Sequence, residues 1–196
     1  SCCPAFVNMI RKHFQESADL ISTTVSPMCA VSRMIKAKEP DAYTVFIGPC
    51  IAKKSEIADQ KIEGNADAVL AFSELHAIML AFDTEHFDDV DGYQEASKFG
   101  KKYGNAGGVT ASVVEYLNET GRDGSAISVC QVSGAKECKK ALLQLKVNRL
   151  KEEFIEGMAC ENGCVGCHSS FGVYPKFKKS RYEMIETEDA RSITEN

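Results

Sequence analysis

Apolar residues fall along the chain in two rhythms. Residues 5–15 place Phe6, Val7, Met9, Ile10 and Phe14 at helical spacing, with Pro4 where a first-turn proline is tolerated. After a polar bend at 22–26, a second short helix runs from Pro27 to about residue 37 and is closed by Glu39-Pro40. Ser73 with Glu74 and Leu75 caps a helix reaching Ala81. Residues 108–118 carry Val109, Val113, Val114 and Leu117 on one face, and residues 135–146 carry Ala141, Leu142, Leu143 and Leu145. The other rhythm is the compact apolar run. Residues 43–47, 67–72, 126–132 and 153–157 read as short buried strands. Strands alternating with helices predict an α/β fold, a mostly parallel four-stranded sheet flanked by helices on both faces in a three-layer α/β/α lobe. No internal repeat or interdomain linker is visible, so residues 1–196 read as a single domain. Its charged tail over 176–196 is expected to be a short helix and a frayed end.

Composition narrows the class. Of 196 residues, 44% are hydrophobic and 26% charged, ordinary globular usage that excludes a collagen, a disordered tail and a coiled-coil rod. The length suffices for one good core. No run approaches the roughly 18 apolar residues of a membrane span. The net charge of −5 argues against nucleic-acid binding, which needs a basic face. The opening Ser1-Cys2-Cys3-Pro4 lacks the basic start and apolar stretch of a secretory signal, so the expected location is cytoplasmic unless an N-terminal segment has been cut away. Residues 83–92 hold five acids, but an EF-hand register with Gly92 at its turn puts Phe87 at the first ligand position. A solvated acidic loop is the expectation there.

Cysteine changes the picture most. The nine cysteines are an odd number in a long chain, a poor fit to a small secreted disulfide scaffold and a better one to metal or redox chemistry. In open α/β sheets ligands collect beyond the carboxyl ends of the strands. Cys50 follows the first strand run closely, Cys160 follows the fourth, and Cys164 and Cys167 lie just beyond. Those positions predict a site at the strand ends. Cys130 inside a strand run, Cys138 on a helix and Cys29 at a helix start read as structural thiols.

Three motif matches compete for this set. Cys164-Val-Gly-Cys167-His168 has the Cys-x-x-Cys-His form of covalent haem attachment, which leaves Cys160 and the N-terminal pair unexplained. Cys160-x3-Cys164-x2-Cys167 has the spacing of radical S-adenosylmethionine enzymes, but that motif follows the first strand of a barrel and here only 29 residues follow it. The third match spans the chain: Ser1-Cys2-Cys3-Pro4-Ala5-Phe6, Pro49-Cys50-Ile51-Ala52-Lys53-Lys54-Ser55-Glu56, and Met158-Ala159-Cys160-Glu161-Asn162-Gly163-Cys164. In this order the segments resemble the three signatures of iron-only ([FeFe]) hydrogenases, Thr-Ser-Cys-Cys-Pro-x-Trp, Met-Pro-Cys-x-x-Lys-x-x-Glu and Met-Ala-Cys-x-x-Gly-Cys. Asn105-Ala106-Gly107-Gly108-Val109 also resembles that family's Gly-Gly helix start. The resemblance is to the second lobe of the catalytic domain, without the first lobe or accessory ferredoxin-like domains.

The resemblance implies an H-cluster, a [4Fe-4S] cluster joined through a cysteine thiolate to a di-iron subsite with CO, cyanide and azadithiolate. By matching position, Cys3, Cys50, Cys160 and Cys164 would hold the cubane, with Cys164 also the bridge to the di-iron unit. Soft iron favours such thiolates. Cys2 matches the proton-relay cysteine, Ser22 the proton-path serine and Glu56 a relay glutamate. Lys53 matches the donor to a cyanide ligand, and Met158 a residue lining the di-iron pocket. The implied reaction is reversible interconversion of protons and dihydrogen, with the isolated chain inactive because the di-iron pocket is shared between lobes. The implied partners are the first lobe, a ferredoxin-like electron donor or acceptor or a downstream regulatory domain, and the hydrogenase maturation proteins. Phe6, Gly48 and the Gly166-Cys167-His168-Ser169-Ser170 stretch depart from the family pattern around the di-iron pocket. Those departures resemble divergent, hydrogen-sensing members, which keeps sensing open as an alternative. A third reading is an iron–sulfur assembly or electron-transfer protein keeping only the cubane. The roles of Cys167 and His168 stay open between extra ligands, proton carriers and neither.

Overall fold

The computed structural model describes residues 2–82, 84, 96–172, 174–186 and 191–195. The acidic stretch expected as a loop over 83–92 lies, Thr84 apart, outside them. The chain divides into two compact units, Ser1–Phe87 with Cys167–Phe171 and Asp88–Gly166 with Gly172–Asn196.

The first unit opens with α1 (Pro4–His13), whose N-cap is Cys3, followed by a 3-10 turn over Gln15–Leu20. Helix α2 (Pro27–Lys38) starts at Ser26, whose side chain accepts the Cys29 N–H and supplies the cap that Pro27 at the first helical position leaves room for. Strand β1 (Val45–Gly48) runs through the short helix α3 (Lys53–Ile57) into β2 (Ala68–Ala71), and α4 (Phe72–Ala81) follows. Helix α4 begins one residue before Ser73, and the Glu74 carboxylate accepts the Ala71 N–H at 2.7 Å in place of a serine cap. β1 and β2 pair in parallel, Val45 opposite Ala68 through Gly48 opposite Ala71. Met28, Ala66 and Val69 form a buried cluster against which Phe46 and Ile57 pack. The opposite side of β1 stays open: Val45 and Ile47 are each 45% exposed, next to an exposed Tyr43.

The second unit holds α5 (Lys98–Lys102), α6 (Gly108–Glu119), β3 (Val129–Ser133), α7 (Ala135–Lys146), β4 (Phe154–Met158) and α8 (Tyr174–Glu186). β3 and β4 are also parallel, with Val129 opposite Phe154 and Ser133 opposite Met158. Leu142, Cys138, Met158 and Ile185 are its most buried apolar side chains. The expected charged tail thus holds most of a 13-residue helix, which begins at Tyr174 and whose Ile185 is fully buried.

The fold is α/β with parallel sheets flanked by helices, as the apolar runs predict. Among the described residues the strands pair as two two-stranded sheets, β1-β2 and β3-β4, where the apolar runs predict one sheet of four. Each strand has only four or five residues and pairs with the one its own helical crossover returns, the shortest connection that can build a parallel ladder.

Candidate functional site

In the first unit Cys2 and Cys3 precede α1, and the Cys3 carbonyl accepts the Val7 N–H at 3.1 Å. Cys50 stands two residues beyond the end of β1, and its carbonyl accepts the Lys53 N–H at 3.2 Å as the chain turns into α3. Burial is the main force raising the Cys50 thiol pKa; the backbone N–H of Lys53 opposes it, and the nearby Cys167 and Cys3 thiols raise it further. Three thiols remote in sequence are therefore electrostatic neighbours. Of these three, Cys167 is the one that lies outside the hydrogenase-like segments. Its segment is tied to α4 by an edge-on contact of Phe171 with His76, ring centres 5.3 Å apart.

Lys53 and Glu56 sit one turn apart on α3 and both are buried. Their side chains are only 8% and 6% exposed, and the Lys53 ammonium meets Glu56 Oε2 at 2.6 Å. The other Glu56 oxygen accepts a hydrogen bond from the Ser26 hydroxyl, while the Glu56 carbonyl takes one from Asn65 Nδ2 at 3.3 Å. A cavity of about 510 Å³ is lined by Ser22, Ser26 and Glu56, with Asn8, Arg11 and Asp59 also on its wall. Arg11 and Asp59 pair there at 2.6 Å, and that guanidinium is the first cause holding the Asp59 carboxyl below its usual range. Ser22 is exposed, and its Oγ accepts the Thr24 N–H at 3.2 Å. Ser26, and not Ser22, contacts Glu56 directly. The sequence signal for Ser26 was its place before Pro27 at a helix start, which announces a cap and says nothing of a partner 30 residues on.

In the second unit β4 ends at Met158, 2% exposed, and Cys160 follows by two residues. The Cys160 carbonyl accepts from Ser133 Oγ at 3.3 Å and from the Gly163 N–H at 3.1 Å. Ser133 Oγ in turn accepts the Asn162 N–H at 2.8 Å, tying the turn after β4 to the end of β3. Gly163 lies at φ +84°, and a Cβ there would come 2.6 Å from both the Ala106 nitrogen and the Gly104 carbonyl oxygen. Only glycine fits that approach, and it lets Asn105 bridge Gly163 while the Cys164 N–H reaches the Gly104 carbonyl at 2.7 Å. Glu156, on β4 and 4% exposed, accepts from the Gly107 and Thr110 N–H groups at 2.8 Å each and from Thr110 Oγ1 at 2.5 Å. It caps α6 from a strand, a role that the sequence analysis missed. Cys138 is buried, with Sγ 3.4 Å from the Met158 carbonyl, and Cys29 is buried on α2; Cys130 is half-buried on β3.

Parallel βαβ units with cysteines placed just beyond the strand ends define a thiol-rich α/β protein of the kind that holds metal–sulfur groups. Residues 1–167 match the family described as iron only hydrogenase large subunit, C-terminal domain, and the chain belongs to that family. It is 24% identical to iron hydrogenase 1 of Clostridium pasteurianum over 237 residues, covering 96% of this chain and 41% of that protein. It is 27% identical to the periplasmic [Fe] hydrogenase large subunit of Nitratidesulfovibrio vulgaris over 208 residues, covering 84% of this chain and 49% of that one. The chain thus spans less than half the length of either relative. The same fold occurs in a solved structure from the stepwise assembly of the [FeFe]-hydrogenase H-cluster, at TM-score 0.60 and 18% identity over 94% of this chain and 64% of that one. A variant [FeFe]-hydrogenase of Chlamydomonas reinhardtii superposes at TM-score 0.58 and 18% identity, with the same coverage. No helix among the described residues is long and apolar enough to cross a membrane.

Proposed function

We propose that this chain binds a [4Fe-4S] cluster through the thiolates of Cys3, Cys50, Cys160 and Cys164, as the second lobe of an H-cluster domain. The observation that carries the reading is that Cys3 and Cys167, remote from Cys50 in sequence, lie close enough to it to oppose the ionisation of its thiol. Crowded thiols of this kind are costly to ionise alone and are neutralised by soft cations. When bound, the cluster with its di-iron subsite supplies the reversible interconversion of protons and dihydrogen.

The chain's own residues prepare for that chemistry. Cys2, beside the helix start, holds and passes a proton at Sγ. Lys53 spends one ammonium donor on Glu56 and keeps others for an anionic acceptor such as cyanide. Glu56 and Ser26 form a carboxylate–hydroxyl pair able to hand a proton to the cavity that Ser22 also lines. Met158 contributes an apolar wall to the di-iron pocket. Both compact units belong to one lobe in this reading, and a first lobe outside these 196 residues completes the pocket, so these residues by themselves turn over no hydrogen. Its further partners are a ferredoxin-like electron carrier and the proteins that mature the di-iron unit. A buried Lys53–Glu56 pair favours this reading over a carrier of the cubane alone, since a carrier has no use for a buried cation on the strand-end turn.

The test is anaerobic reconstitution with iron and sulfide, with EPR and iron counting on the wild type and on Cys50→Ala. The expected result is a reduced cubane signal at about four irons per chain, one per cysteine ligand, lost on substitution. A signal indifferent to Cys50 would sink the ligand set.

A further inference from the structure

Helix α8 lies beyond residue 167, where the family match ends, so that match assigns it no role. One end is anchored by the fully buried Ile185 and by Glu186, which meets the Lys102 ammonium at 2.7 Å. One turn back, Arg181 reaches the last turn of α5 and the segment that follows it. Its Nε donates to Asn105 Oδ1 at 3.0 Å and its Nη2 to the Lys101 carbonyl at 2.9 Å. The two acceptors are four residues apart and bracket Gly104. Asn105 is 5% exposed and bridges Gly163, the Ala106 N–H donates to the Asn162 carbonyl at 3.2 Å, and the Gly104 carbonyl accepts the Cys164 N–H at 2.7 Å. A line of short contacts therefore leads from the guanidinium to the backbone of Cys164.

We propose that Arg181 is a positioning residue for Cys164: its planar fork fixes the 101–105 turn so that the Gly104 carbonyl holds the cysteine's amide in one place. A guanidinium suits the task because its donors diverge in a fixed plane, so satisfying the Lys101 carbonyl also orients Asn105. The ammonium of a lysine offers no such paired geometry. The turn after β4 contains Asn162 at φ +64° and Gly163 at φ +84°, two consecutive left-handed residues that need outside support to persist. The contacts with 104–106 supply that support, and Arg181 supports 104–106. The importance of Cys164 rests on the proposed cluster, but its placement by Arg181 is testable without one.

The experiment uses the full chain as wild type, Arg181→Ala, Asn105→Ala and the control Lys102→Ala, which cuts only the exposed pair at the end of α8. In the metal-free proteins, alkylation of Cys164 by iodoacetamide is followed by peptide mass spectrometry, with Cys50 of the same molecule as internal standard. Arg181→Ala and Asn105→Ala are expected to raise the Cys164 rate about five-fold, the scale of one lost hydrogen bond, with Cys50 and the Lys102→Ala protein unchanged. An unchanged Cys164 rate in Arg181→Ala overturns the proposal. So does an equal rise in Lys102→Ala, which would mean that helix docking in general is responsible, or an equal rise at Cys50, which would mean general loosening. If circular dichroism shows Arg181→Ala to be unfolded, Arg181→Lys is measured with the same expectation and the same overturning results. After reconstitution, Arg181→Ala is expected to alter the EPR line shape at unchanged iron content. Absence of any cluster in the wild type overturns the functional reading and leaves the alkylation result to decide the role of Arg181.

Discussion

The Ser26 hydroxyl donates to Glu56 inside the first unit, and the same oxygen accepts the Cys29 N–H that begins α2. One side chain thus caps a helix and satisfies half of a buried carboxylate. Lys53 satisfies the other half. The three groups form a closed polar set, and such sets are sensitive to the loss of a single member.

Glu56→Leu is expected to destabilise the first unit by roughly 3–5 kcal/mol, because it strands the Lys53 ammonium in a buried position. Lys53→Met with Glu56→Leu is expected to restore most of that loss, since exchanging both charges for apolar groups removes the desolvation penalty. Urea denaturation of the two proteins measures the difference. A double variant no more stable than Glu56→Leu would contradict it.

Asp67 accepts from Lys36 Nζ at 2.8 Å and from the Thr44 N–H at 2.7 Å, and these bonds, the lysine's foremost, lower its pKa to about 2. The unfolded value is about 3.9, so the folded state resists protonation and Asp67 adds stability that is complete above that value and lost as pH falls through about 2. Asp67→Asn should lower the melting temperature at neutral pH. Its deficit against the wild type should shrink steadily from about pH 4 to pH 2. A constant deficit over that range would show that the ion pair is not its source.

Glu156 carries three hydrogen bonds at the start of α6. Glu156→Ala leaves their donors without an acceptor in a buried place and is expected to cost about 3 kcal/mol. The gentler Glu156→Gln keeps one oxygen and should cost less than half as much. Equal losses in the two, read from denaturation midpoints, would mean that bulk and not acceptance matters.

Gly163 and Gly121 both lie at positive φ, +84° and +77°, but only Gly163 has neighbours within 4 Å of a Cβ position. Alanine at Gly121 should cost only the backbone conformation, roughly 1 kcal/mol. At Gly163 it should cost several-fold more, because backbone atoms of Gly104 and Ala106 must move. Similar melting temperatures for the two variants would refute the close approach.

Much of this architecture was legible along the chain, and the exceptions have physical causes. The apolar runs placed all four strands within about three residues, and the helical stripe over 135–146 coincides with α7. Helices α3 and α5 escaped notice because five residues are too few for a helical period to show. Periodicity identifies a strand but not its partner, so one sheet of four and two sheets of two read alike. The strand-end positions of Cys50 and Cys160 were legible because they follow from where the apolar runs stop. The links Ser26 to Glu56 and Arg181 to Asn105, 30 and 76 residues apart, were not, since each joins polar residues whose local signals are complete without the other.

The open side of β1 bears on how the protein behaves at the bench. Within the described residues β1 ladders only with β2, so its outer backbone groups are unpaired by any strand while Val45 and Ile47 stand half in water. A strand in that condition is a template for the same strand of another molecule, and the association it drives rises steeply with concentration. Spectroscopy that demands concentrated samples therefore works against this rim, and a single lysine at position 45 is the smallest change that would blunt it.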